Sequence, residues 1–244
     1  MLRDRVVTAT ILVVLFVGLV YRASSTAWAL ACIFMTGMAA FEWGRLSGLS
    51  ARRVFGFSGL VVVLTSCITV FGGEKIYFLT VALGAAFWVF IAPLWLRSRA
   101  AMQRPFLLIA AGIFILSGTC VALISLREIN PSALIGVMAI IWISDTVAFF
   151  SGRSFGRRKL AAGISPGKSW EGVWFALLAV AIYACAWWVF SPETLPPWVV
   201  HAPASLWLTI GMWMLLAAFG IVGDLVESQL KRVAGVKDSG RCLP

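Results

Sequence analysis

Acidic residues are scarce in this chain. Ten Asp and Glu stand against twenty Lys and Arg in 244 residues, and all charged residues together make up 12%. A soluble domain carries about 25% charged residues, so the shortage excludes an ordinary cytosolic enzyme. Histidine occurs once, as His201 in a loop near Pro197 and Pro203, and one imidazole cannot build a His-based metal centre. The five cysteines, Cys32, Cys67, Cys120, Cys185 and Cys242, show neither Cys-x-x-Cys spacing nor a cluster. That excludes a zinc ribbon and a disulfide framework. Internal repeats and low-complexity linkers are also missing, which argues against a transporter assembled from repeated halves.

What is present is apolar. Hydrophobic residues make up 61% of the chain, and the mean hydropathy is +0.96. A spanning helix needs about 20 apolar residues. Eight such runs are read at 6–21, 24–41, 54–72, 76–96, 105–126, 132–151, 170–190 and 204–222. The first follows Arg3 and Arg5 as a signal peptide would, but the second run begins almost at once, so a helical hairpin is expected. Tryptophans 28, 43, 95, 170 and 198 fall near run ends, where indoles favour the membrane interface. The expected fold is all-α, a polytopic membrane bundle of about eight helices. Residues 1–104 hold the first four and residues 105–244 the rest.

The net charge of +10 would suggest nucleic acid in a soluble protein. Here its distribution gives another reading. With eight crossings, three basic residues (Arg22, Lys75 and Arg127) fall on one side and the other 17 on the opposite side. The positive-inside rule then makes both termini cytoplasmic, with no nucleic-acid partner. The basic face also attracts anions.

Two polar stretches stand out. One runs from Ser144-Asp145-Thr146 through Gly152-Arg153, Arg157-Arg158-Lys159 and Ser165-Pro166-Gly167-Lys168-Ser169 to Glu171. The other is Gly223-Asp224 through Glu227-Ser228, followed by Lys231-Arg232 and Lys237-Asp238. Asp145, Glu171 and Asp224 fall at the cytoplasmic ends of three successive runs, Asp145 about six residues (roughly 9 Å) from its end. Three acids at one depth suit a divalent cation with oxygen ligands. Carboxylates beside Lys, Arg and Gly suit Mg²⁺-dependent phosphate chemistry. The competing reading of Asp145 is an ion pair with Arg153. Gly167-Lys168-Ser169 is not a P-loop, because Ala162 stands where its first glycine belongs. A Gly-Lys-Ser turn at the start of the seventh run still offers backbone N–H groups to phosphate.

The tail reads Ser228-Gln229-Leu230-Lys231-Arg232, four residues, Lys237-Asp238-Ser239-Gly240, two residues, Leu243-Pro244. This spaced pattern resembles the signature of the phosphatidate cytidylyltransferases (CDP-diacylglycerol synthases). The Ser144-Asp145-Thr146 and Ser165-Pro166-Gly167-Lys168 stretches look like that family's too, so the resemblance is sharpest over 140–244. The family signature continues into His-Gly-Gly and Asp-Arg segments and a last helix. A ninth helix is therefore expected beyond residue 244, and a chain ending at Pro244 is expected to be catalytically incomplete.

The resemblance implies that CTP and phosphatidic acid give CDP-diacylglycerol and pyrophosphate, with membrane lipid as the surroundings. Mg²⁺ is the implied cofactor, with room for a second, monovalent cation. Asp224 and Asp145 are the metal-ligand candidates. Asp224, Lys237, Asp238 and Lys231 are the catalytic candidates, with Glu227 a weaker one. Ser165, Lys168, Arg232, Arg158, Lys159 and Ser228 would hold phosphate groups. The expected location is a bacterial inner membrane, and assembly as a homodimer is allowed. The alternatives are an anionic-solute transporter or flippase, or another CTP-dependent lipid transferase or kinase.

Overall fold

The computed structural model describes residues 2–98 and 102–236. Eight apolar helical spans succeed one another. α1 covers Leu2–Arg22, α2 Ser25–Leu46, α3 Ala51–Phe71 and α4 Glu74–Ala86. A five-residue π segment, Phe87–Ile91, joins α4 to α5 (Ala92–Arg97). α6 follows at Pro105–Ile129 and α7 at Pro131–Phe155. A hairpin of β1 (Lys159–Ala161) and β2 (Ser165–Ser169) leads to α8 (Trp170–Phe190), a short α9 (Pro197–Val200) and α10 (Ser205–Val233). Among the described residues, seven spans are long and apolar enough to cross a membrane, and α1 adds the shorter apolar stretch Thr10–Arg22. The all-α membrane bundle of about eight helices is thus observed.

Helix ends follow local chemistry. The Ser24 side chain caps α2 by accepting from Ala27 N at 3.2 Å, as a serine N-cap does. Pro105 and Pro131 open α6 and α7, where a missing N–H is harmless. Gly48 ends α2 with φ +75°, and Leu49 N reaches Gly44 O at 3.2 Å. Gly235 ends α10 in the same way, with φ +72° and Val236 N on Lys231 O at 3.0 Å. Both are glycine-terminated Schellman ends. The π segment precedes Pro93, which has no N–H for the helical ladder. Widening the helix there lets the span run on to Arg97.

The chain divides into two compact units. The first comprises, among the described residues, 2–91, 98–131 and 230–236; the second comprises Ala92–Arg97 and Ser132–Gln229. This grouping differs from a cut at 104/105, because α6 packs with the N-terminal helices. In the first unit α6 is central. Half of its most apolar window is buried, against 17–28% for the other spans. It lies against α2, α3 and α4.

Lipid tails are as apolar as the helix surfaces, so close packing and hydrogen bonds between helices supply the specificity. Trp43 Nε1 donates to Leu108 O at 2.8 Å and Trp28 Nε1 to Leu123 O at 3.3 Å. The buried Thr65 and Ser117 hydroxyls meet at 3.0 Å. Arg127 donates through Nε to Val20 O at 3.0 Å and through Nη2 to Ala23 O, which satisfies carbonyls at the end of α1. α4 and α6 touch backbone to backbone, since a Cβ on Gly118 would sit 3.0 Å from Thr80 O.

The second unit has its own core of Ile140, Val180, Ala184, Leu195, Trp213 and Ala217, with Tyr183, Trp187 and Trp188 packed on it. Gln229 Nε2 donates to Trp95 O at 3.0 Å and ties α10 to α5.

The Gly118 contact leaves no room for a side chain. Gly118→Leu should destabilise the first unit by about 1–3 kcal/mol through overpacking, read as a lower thermal-unfolding midpoint in detergent. An unchanged midpoint would contradict the α4–α6 contact.

Candidate active site

The site lies entirely within the second unit, where α7, the hairpin, the start of α8 and α10 enclose a cavity of about 930 Å³. α7 contributes Asp145, Ala148, Phe149, Gly152 and Arg153, and Gly156 follows just past its end. The spacing of three and four places the helical residues on one face. α10 contributes Gly220, Ile221, Gly223, Asp224 and Glu227, again a single stripe. The hairpin supplies Lys159, Leu160, Ser165, Gly167 and Lys168. Polar groups therefore share the lining with the apolar side chains of Phe149, Leu160, Val173 and Ile221.

Two short helix-free pieces make this geometry possible. β1 and β2 pair antiparallel, Lys159 opposite Ser169 and Ala161 opposite Ser165, with a register irregularity between. The hairpin was not expected, because Ser-Pro-Gly-Lys-Ser lacks β-branched residues and alternation. The expectation of a Gly-Lys-Ser turn is corrected accordingly: Gly167 and Lys168 are extended. Ser169 is the N-cap of α8, its Oγ accepting from Gly172 N at 3.2 Å. α7 and α8 approach through glycine. A Cβ on Gly172 would lie 2.9 Å from Ala148 O, and one on Gly156 would lie 2.1 Å from Gly152 O and 2.7 Å from Ser169 Oγ.

Several sequence candidates converge. Asp145, Asp224, Lys159, Ser165 and Lys168 all line the cavity, as does Glu227. Lys168 Nζ and Asp224 Oδ2 form an ion pair, their side chains 24% and 48% exposed. Such partial hydration keeps the pair exchangeable. Asp145 lies within electrostatic range of both Asp224 and Lys168. The expected alternative partner of Asp145, Arg153, instead lines the cavity wall beside it, two helical turns further along α7. α7 runs to Phe155 rather than 151, so Asp145 sits about 15 Å from the helix end and not 9 Å.

Other candidates stand elsewhere. Ser228 is half-buried outside the cavity lining. Lys231 and Arg232 occupy the last turn of α10, in the first unit. Arg158 engages through its backbone: its N–H donates to Glu171 and its carbonyl accepts from Trp170 N at 2.9 Å. Lys237 and Asp238 lie outside the described residues. Arg153 was missed as a site residue, although its i+8 relation to Asp145 marks it once α7 is extended.

The three-acid cation site needs correction. Glu171 turns away to the loop backbone, accepting from Arg157 N at 3.1 Å and Arg158 N at 3.2 Å. Among the described residues no group of three or more His, Cys, Asp or Glu is placed to hold a metal. Two carboxylates remain, Asp145 and Asp224. That set still fits Mg²⁺, which characteristically takes one or two carboxylates together with substrate phosphates. The ammonium of Lys168 against Asp224 shows that a cation is accommodated at this carboxylate.

A model of the cytidylyltransferase family matches residues 3–244. The chain belongs to the cytidylyltransferase family. It is similar to the phosphatidate cytidylyltransferase of Pseudomonas aeruginosa, 30% identical over 252 residues that cover all of this chain and 89% of the relative. The Brucella abortus protein of the same name is 31% identical, again over all of this chain and 84% of the relative. The Haemophilus influenzae one is 40% identical over 111 residues, covering 46% of this chain and 37% of the relative.

The glycine contact that holds the hairpin is open to test. Gly156→Ala should displace the segment that follows by overpacking, at a cost of about 1–3 kcal/mol. Trypsin should then cut at Arg157, Arg158 or Lys159 faster than in the wild type. Equal cleavage rates would contradict the contact.

Proposed function

We propose that the cavity joins CTP to phosphatidic acid, releasing pyrophosphate and leaving CDP-diacylglycerol. The observation that carries this reading is the mixed lining of the cavity. Arg153, Lys159 and Lys168 offer cations, Asp145 and Asp224 offer carboxylates, and Phe149, Leu160, Val173 and Ile221 offer apolar side chains. A lipid with an anionic headgroup and a nucleoside triphosphate need such a combination, and a soluble sugar or a peptide does not. The family membership and the names of the relatives support the same substrates.

An oxygen of the lipid phosphate attacks the α-phosphorus of CTP, and the bond from that phosphorus to the bridging oxygen of the β-phosphate breaks. The nucleophile is already ionised at neutral pH, so no general base is required. The work of the chain is positioning and charge neutralisation. Lys159 and Lys168 sit on the hairpin and bind phosphate oxygens, with Lys168 leaving Asp224 to do so. Arg153 presents a planar fork suited to bidentate phosphate contact. Ser165 donates its hydroxyl. Asp145 and Asp224 would hold Mg²⁺, which when bound would supply Lewis-acid polarisation of the phosphoryl oxygens. Lys231, Arg232, Lys237 and Asp238 remain the tail candidates, the basic ones for phosphate and Asp238 for orienting Lys237.

The same reading sets the cavity at the cytoplasmic face, since 17 of 20 basic residues share that side. CTP then arrives from the cytosol, and the lipid headgroup reaches the site without leaving its leaflet. The bacterial relatives support the inner membrane as the location.

Asp224→Asn and Asp145→Asn should each reduce CTP- and Mg²⁺-dependent conversion of phosphatidic acid by about 100-fold, the scale of losing a preorganised electrostatic group. Radiolabelled CTP incorporation into lipid measures this in nanodiscs. The assay uses the full-length protein, with any sequence beyond residue 244; wild-type rates in both variants would remove the metal assignment, and no conversion by the unsubstituted full-length protein would remove the function. Single cysteines replacing Glu74 and Arg157, in a cysteine-free background, should label from opposite sides of sealed vesicles. Labelling from one side would overturn the orientation.

A further inference from the structure

Glu171 is an acid that the proposed chemistry does not use. It stands at the second position of α8, after the Ser169 cap and Trp170. A carboxylate there is favoured by the helix dipole, but this one reaches back across the hairpin base. Oε2 accepts from Arg157 N at 3.1 Å and from Arg158 N at 3.2 Å, and Oε1 also accepts from Arg158 N at 3.2 Å. The next backbone groups close the same ring: Trp170 N donates to Arg158 O at 2.9 Å, and Lys159 pairs with Ser169.

We propose that Glu171 is a positioning residue, a latch that fixes the base of the hairpin so that Lys159 and Lys168 face the cavity. The two N–H groups it holds belong to residues just past the end of α7, where the chain has turned out of the helix and no longer aims its N–H groups at the last helical carbonyls. Without that acceptor, the Arg157 and Arg158 N–H groups lose these bonds, and the segment keeps Gly156 N on Gly152 O at 3.1 Å, Trp170 N on Arg158 O at 2.9 Å and the strand pairing. Arg157 and Arg158 are thereby used for their amides, and the direction of the hairpin follows from those two bonds. One oxygen, Oε2, already serves both N–H groups. The latch therefore needs an acceptor and not a negative charge, which separates it from a metal ligand.

The test uses the full chain in nanodiscs, with hydrogen exchange of the Arg157 and Arg158 amides as the first readout. Glu171→Ala should speed that exchange about ten-fold, the scale of losing one hydrogen bond, and Glu171→Gln should hold it near wild type. The kinetic arm rests on the proposed cytidylyl transfer. KM for CTP should rise several-fold in Glu171→Ala, with the Mg²⁺ concentration for half-maximal rate unchanged, and Glu171→Gln should restore KM. Unchanged amide exchange in Glu171→Ala overturns the latch. So does a Glu171→Gln variant as impaired as Glu171→Ala with a raised Mg²⁺ requirement, because that marks a charge or metal role. If the wild type transfers no cytidylyl group, the proposed reaction fails while the exchange measurement still decides the latch.

Discussion

The site depends on how closely α7 and α8 can approach where the hairpin leaves one and enters the other. Gly152, Gly156 and Gly172 remove the side chains that would hold the two helices apart; a Cβ on Gly172 would already press on Ala148 O at 2.9 Å. The segment between the two spans leaves the helical ladder and meets its backbone groups with bonds of its own. Here the strand pairing, the Ser169 cap and the carboxylate of Glu171 supply them. Close helices and a satisfied loop are two sides of one solution, and the cavity opens beside it.

Helix periodicity does the rest of the assembly. The face of α7 that carries Asp145 also carries Phe149, Gly152 and Arg153, and the face of α10 that carries Asp224 also carries Gly220, Ile221 and Glu227. Each stripe mixes acid, glycine and an apolar residue. The helices can therefore pack closely and still hold a polar group at the cavity wall. Gln229 locks α10 to α5 a little further along through its bond to Trp95 O. That bond fixes the rotation of α10 about its axis, and hence the direction in which Asp224 points.

Legibility in the sequence follows from these same facts. Apolar runs report helices directly, so the spans and their order were readable from 6–21 through 204–222. Helix ends were less so: the polar Ser151-Gly152-Arg153 reads as a loop, yet α7 runs to Phe155, which hid Arg153 as a cavity residue. Sequence position predicts one depth for Asp145, Glu171 and Asp224, but Asp145 stands ten residues inside the end of α7 and Glu171 at the second position of α8, and their directions differ. Two of them face the cavity, and Glu171 turns to the backbone. The hairpin was invisible because its strands are short and held by backbone and glycine contacts rather than by β-forming side chains. The run 76–96 was read straight through Pro93, but the π segment that precedes it was not legible.

The scarcity of acids acquires a meaning in the cavity. Among the described lining residues, Asp145, Asp224 and Glu227 oppose Arg153, Lys159 and Lys168, so the formal charges cancel. A neutral polar cavity is stable when empty, and the Lys168–Asp224 pair is its visible expression. A nucleoside triphosphate and a lipid phosphate would each bring net negative charge into this balanced set. In the proposed reaction, binding them would take Lys168 from Asp224 and leave that carboxylate without its cation. A divalent ion held by Asp145 and Asp224 would then restore the balance. In the proposed reaction the need for Mg²⁺ is thus set by charge balance as much as by the chemistry at phosphorus.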